Sequence, residues 1–137
     1  MADDITVTDN RGGSFGWSLT ASMTSFSGSG GNNMAASTFQ ASPTCTPATA
    51  ATAWDYNAAG QTAIPGFDPS LVAPGQSAGP ASQSFSGAVT LCTKDTTINE
   101  GTQSTGGVYT VSSPLTLTVP SFQAADRYTA VMTITLA

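Results

Sequence analysis

The chain is 137 residues long with only 8% charged residues, three basic against eight acidic, for a net charge of −5. A chain of this length builds one ordinary core, and its 39% apolar residues recur with a clear period, unlike those of disordered sequence. No basic cluster exists to displace phosphate counterions, which excludes nucleic acid as a partner. No run approaches the roughly 20 apolar residues of a membrane helix, so no membrane insertion is expected.

Met1 is followed at once by Ala2-Asp3-Asp4, with neither a basic start nor an apolar segment. The expectation is a mature N-terminus of an exported protein with an initiator Met added. Ile5-Thr6-Val7-Thr8 alternates apolar and polar residues. From Phe15 to Met23 the same alternation runs longer: Phe15, Trp17, Leu19, Ala21 and Met23 share one face, with small or polar residues on the other. Period two means a strand with one buried face. Asp9-Asn10-Arg11-Gly12-Gly13 between the two tolerates positive φ, so the pair is predicted to form an antiparallel hairpin with a longer loop. Trp17 reads as the core anchor of its face; the functional alternative is an exposed platform on which sugar rings stack.

Gly28-Ser29-Gly30-Gly31 suggests a phosphate cradle, but no Lys follows and no helix is predicted beside it, so it reads as a flexible turn. A short strand is expected around Met34 to Ala41. The region from about 43 to 80 carries six of the eight prolines and aromatics without period, and reads as a long loop or insertion. In it Trp54 and Tyr56 are placed as exposed aromatics able to bind ligand, against the alternative that they pack locally with Ile64, Phe67, Leu71 and Val72. Two cysteines, Cys45 and Cys92, in a chain poor in Lys and Glu and rich in Thr, Ser and Gly fit an exported protein in which a disulfide persists. The alternative is two separate buried thiols. A Cys45–Cys92 bridge would stabilise the fold by roughly 4 kcal/mol through loop-closure entropy.

Further strands are predicted at Ala88 to Cys92, at Val108 to Val111 and at Leu115 to Val119, the last closed by Pro120. The C-terminal stretch places Tyr128, Ala130, Met132, Ile134 and Leu136 on one face and Thr129, Val131, Thr133 and Thr135 on the other. No segment has helical periodicity. The fold class is therefore all-β: a single domain over 1–137, a β-sandwich or Greek-key arrangement of antiparallel strands.

The absence of histidine removes the commonest general base, both the Ser-His-Asp and Cys-His nucleophile systems, and His-ligated zinc. The acids Asp3, Asp4, Asp9, Asp55, Asp68, Asp95, Glu100 and Asp126 nearly all stand beside turn-forming residues and read as solvated turn positions rather than a paired-carboxylate site. None has calcium-loop spacing. Thr-rich strands without a repeat reflect β-propensity, not a crystal-binding face. No enzyme, metal or cofactor is expected.

"VTDNRGGSFGWSLTAS" near the start and "LTLTVPSFQAADRYTAVMTITLA" at the finish resemble the WxL domain of Gram-positive surface proteins. Val7, Asp9, Arg11, Gly12, Trp17 and Leu19 match the first motif of that family. Tyr128, Thr129 and Leu136 match parts of the second, with Ile134 where the family has Trp. The resemblance implies an exported, non-catalytic β domain held non-covalently to the cell wall through peptidoglycan, or to other surface proteins. The candidate ligand-binding residues are Trp17, Leu19, Trp54, Tyr56 and Tyr128. A second function class stays open: a self-associating subunit of a surface layer, pilus or filament, because uncharged strands at both ends can pair edge to edge or be exchanged.

Overall fold

The computed structural model describes residues 4–9, 16–47, 76–94 and 107–137. Their regular structure is almost entirely strand, joined by one 3₁₀ turn at Ala36–Thr38. Four antiparallel groups form. The first has β1 (Ile5–Asp9) on one side of β10 (Gly107–Ser112) and β6 (Thr44–Pro47) on the other. The second runs in the order β13 (Met132–Leu136), β2 (Trp17–Met23), β9 (Val89–Lys94), β7 (Gln76–Ala78). Two smaller groups are β12 (Tyr128–Thr129), β3 (Phe26–Gly28), β4 (Asn33–Met34), and β11 (Leu115–Leu117), β5 (Phe39–Ala41), β8 (Gln83–Ser84).

The all-β architecture agrees with the alternation in the sequence. The predicted N-terminal hairpin does not form. β1 pairs with β10, Val7 opposite Tyr109, while β2 lies in a different sheet between β13 and β9. Alternation fixes which face of a strand is buried, and β1 buries Val7 and β2 buries Trp17, Leu19 and Ala21 as that rule requires. It carries no information about the neighbour. Asp9, read as a solvated turn residue, is instead the buried end of β1. The strand expected around Met34 to Ala41 is two short strands separated by the 3₁₀ turn. Strands β6 and β7 lie within the region read as a long loop, whose residues 48–75 fall outside the described part.

The core joins both large sheets: Val7, Tyr109 and Val111 from the first, and Leu19, Ala21, Val89, Leu91 and Cys92 from the second, with Ala41 and Phe85 beside them. In β9 the buried positions are Val89, Leu91, Cys92 and Lys94, which breaks a strict alternation. The cause is a β-bulge. Leu19 pairs with Cys92 and Thr20 with Thr90, leaving Leu91 as the extra residue. The Gln83 side chain steadies this point, donating to the Thr90 carbonyl (2.6 Å) and accepting from the Thr90 amide (3.0 Å). Gly79 passes so close to the Thr90 carbonyl that a Cβ there would collide with it.

Cys45 on β6 and Cys92 on β9 form a disulfide, with Cα atoms 5.7 Å apart, that ties the two large sheets together. The double variant Cys45→Ala/Cys92→Ala is expected to lose about 4 kcal/mol of unfolding free energy, from the closed loop of 47 residues. Urea unfolding reads this as a lower midpoint, and an unchanged midpoint would show that the bridge does not restrain the unfolded chain.

Candidate functional site

Trp17 opens β2 and is buried at 5% exposure, so it is a core anchor and not an open platform. Its ring meets Tyr109 edge-on with centroids 5.1 Å apart, an arrangement that adds about 0.5–1.5 kcal/mol to the burial of both rings. The Trp17 indole N–H has no hydrogen-bond partner among the described residues. Tyr109 is fully buried, and burial first, then the nearby Asp9 carboxylate, push its phenol up to about 12. It therefore stays neutral at physiological pH. Leu19 is buried as well, at 2%.

The register brings the two end motifs together. Leu19 lies opposite Leu136 and Ala21 opposite Ile134. Opposed residues in a sheet share a face, so Trp17-Ser18-Leu19 and Ile134-Thr135-Leu136 are neighbouring segments on one surface. They are not equally covered: Ile134 is 47% exposed and Leu136 54%, because β13 is the edge strand of its sheet. Trp54, Tyr56, Arg11 and Gly12 lie outside the described residues.

Tyr128 is half-buried, and its role is to shape a loop. Its hydroxyl donates to the Ala124 carbonyl (2.9 Å) and accepts from the Gln123 side-chain amide (2.6 Å). At the tip of that loop Phe122 is fully exposed and holds a positive φ of 64°. Such a backbone is uncommon for a bulky residue and persists only where the surroundings impose it. Here the Gln123 amide donates to the Pro120 carbonyl (3.3 Å) on one side, and Tyr128 secures the other. Sequence pattern gives no sign of Phe122, because a lone aromatic between Ser121 and Gln123 belongs to no period.

Asp126 completes the loop. Its carboxylate accepts from the Ser29 hydroxyl, the Gly30 amide (2.8 Å), the Arg127 amide (2.7 Å) and the Asn32 side-chain amide (3.5 Å). The glycine-rich turn read as flexible is thus clasped to the loop that carries Phe122. Gly28 leaves room there, since a Cβ would come within 2.7 Å of the Asn32 backbone carbonyl and displace the Asp126 carboxylate. Among the described residues, no group of three or more Cys, Asp or Glu is placed to hold a metal ion.

The Ser29 hydroxyl first, then the Gly30, Arg127 and Asn32 donors, lower the Asp126 carboxyl from 3.8 to about 2. A depressed carboxyl contributes in full above its ordinary value and is lost as pH falls through its folded value. The Gly30 amide resonance is therefore expected to hold its clasped position as pH falls through 3.8 and to move only near about 2. In Asp126→Ala that transition should vanish. A Gly30 transition at the ordinary carboxylate value would show that the clasp does not form in solution.

Among known families, the model of the WxL domain, described as surface cell wall-binding, matches residues 2–137. No curated protein and no solved structure gives a significant match. The family is one of wall binding rather than catalysis, and it places the chain outside the cell, at the wall or surface. Matched over the whole described fold and both end motifs, the chain belongs to the WxL family of surface cell wall-binding domains.

Proposed function

We propose that this domain holds to peptidoglycan non-covalently, without catalysis, and that Phe122 makes the main contact. The observation that carries this reading is a fully exposed aromatic ring on a loop held by the Gln123–Pro120 backbone bond and, on its C-terminal side, by Tyr128 and Asp126. Pyranose rings present a face of C–H groups that packs flat on an aromatic ring, and a pre-fixed ring loses little freedom on binding. Trp17 and Leu19 act beneath the surface, holding the sheet whose edge strand follows Tyr128. Tyr128 acts as a positioning residue for Phe122.

Charge supports the same mode. The net charge is −5, and the three cationic side chains are Arg11, Lys94 and Arg127, of which Lys94 is buried. Ion pairing to acidic wall polymers has little to work with, so apolar and hydrogen-bonded contacts to glycan remain.

Cosedimentation with sacculi stripped of protein tests the proposal. Wild-type protein should pellet, and added salt should not release it, because salt screens only the ionic part of binding. Phe122→Ala should weaken pelleting by about 3- to 10-fold, the equivalent of one aromatic contact, with an unchanged unfolding midpoint. Equal pelleting of wild type and Phe122→Ala would reject Phe122 as the contact. Failure of wild type to pellet on stripped sacculi, with recovery on unstripped walls, would point to a protein partner instead.

A further inference from the structure

No strand among the described residues pairs with the outer edge of β13, and the backbone parity of that edge can be read from the hydrogen bonds. Ser18 and Ala137 exchange both amide bonds (2.8 and 3.0 Å), and the Thr24 amide donates to the Val131 carbonyl (3.0 Å). Hydrogen-bonded and non-hydrogen-bonded pairs alternate along an antiparallel ladder. Residues 133 and 135 therefore spend their amide groups on β2. The N–H and C=O groups of Met132, Ile134 and Leu136 point the other way, where no strand among the described residues pairs with them.

Proteins usually blunt such an edge with charge, Pro, a bulge or brevity. β7, at the opposite edge of the same sheet, has three residues and is followed by Gly79-Pro80. β13 has five residues, Met132-Thr133-Ile134-Thr135-Leu136, with no charge, Pro or Gly. Its Ile134 and Leu136 side chains continue the core face carried by Ala21 and Leu19, and half of each stays uncovered.

We infer that β13 is the interface of a two-fold homodimer, pairing antiparallel with β13 of a second copy with Ile134 at the dyad. The outward groups set the parity of the pairing, and the register that uses all three residues puts Ile134 at the dyad. Antiparallel pairing must oppose residues whose amides both face outward, and full overlap of the strand then aligns Ile134 with Ile134 and Met132 with Leu136. The strand is symmetric in size and polarity about Ile134, so the second copy meets apolar with apolar and Thr with Thr, and no charge is opposed to another. About six backbone hydrogen bonds form, the exposed halves of Ile134 and Leu136 are covered, and the contact is isologous, so it closes at two copies. The inference does not depend on how the wall is held.

Sedimentation at sub-millimolar concentration should give twice the 13.7 kDa mass of the chain. Ile134→Lys puts two ammonium groups directly across the dyad, where like charges destabilise pairing, and should return a monomer. Its unfolding midpoint, read at a dilution where the wild type is also monomeric, should change little, because Ile134 is half-exposed in the single chain. Thr116→Lys, on the exposed face of β11, should leave the dimer intact. Under mild oxidation Ile134→Cys should form a covalent dimer, while Leu136→Cys, which faces Met132 of the second copy, should not. A monomeric wild type, a dimer insensitive to Ile134→Lys, crosslinking of Leu136→Cys as fast as Ile134→Cys, or growth beyond two copies would each overturn the inference.

Discussion

The edge-on contact of Trp17 with Tyr109 joins two sheets that no strand ladder links among the described residues. Trp17 belongs to the sheet built around β2, and Tyr109 to the one built around β10. One register step further along each strand, Leu19 pairs with Cys92 and Val111 with Cys45, and those two cysteines form the disulfide. An aromatic contact and a covalent bond thus fasten the same two sheets at neighbouring levels. The rest of the core fills the space between: Val7, Val111, Leu91 and Ala21 are all buried there. With charge on only 8% of residues, stability cannot draw on surface ion networks and rests on packing and this cross-sheet tie.

That arrangement explains what was legible in the sequence. Long alternating runs such as Trp17 to Met23 and Val108 to Val111 declare both strand and buried face, because side-chain direction repeats every second residue. The disulfide was legible through composition, since an exported chain with two cysteines tends to join them. Strand partners were not. Ile5 to Asp9 pairs with residues about a hundred positions away, and nothing in its own alternation encodes Val111 or Tyr109 as neighbours. Two- and three-residue strands such as Asn33–Met34 and Gln83–Ser84 are too short to show a period. Their position is set by the strands they join.

The candidate site was legible only in part, for a related reason. Tyr128 was singled out as a ligand residue, and its hydroxyl is instead committed to Ala124 and Gln123. Asp126 read as a solvated turn acid because nothing nearby in sequence predicts that Ser29, Gly30 and Asn32 will surround it from across the fold. Phe122 is marked by its backbone: a positive φ at a fully exposed aromatic is a conformational outlier, held by local bonds of Gln123 and Tyr128 and by the long-range Asp126 clasp. The same contacts make it useful. A ring on a mobile loop would lose much of its contact energy to ordering, whereas one fixed by Tyr128 and clasped through Asp126 does not.

Ile134, where the resemblance would set a Trp, has a physical reading in its surroundings. Trp17 sits at 5% exposure because Tyr109 covers it, while position 134 lies on an edge strand opposite the small Ala21 and stays 47% exposed. A tryptophan there would stand out as a broad ring at the rim of the core. Ile134 is flatter, β-branched and suited to an extended strand, and it leaves the edge free for another strand to approach. All the large hydrophobic residues exposed in the described chain fall between Leu117 and Leu136. The buried N-terminal motif thus fastens the fold, and the C-terminal segment laid against it carries the apolar surface available for contact.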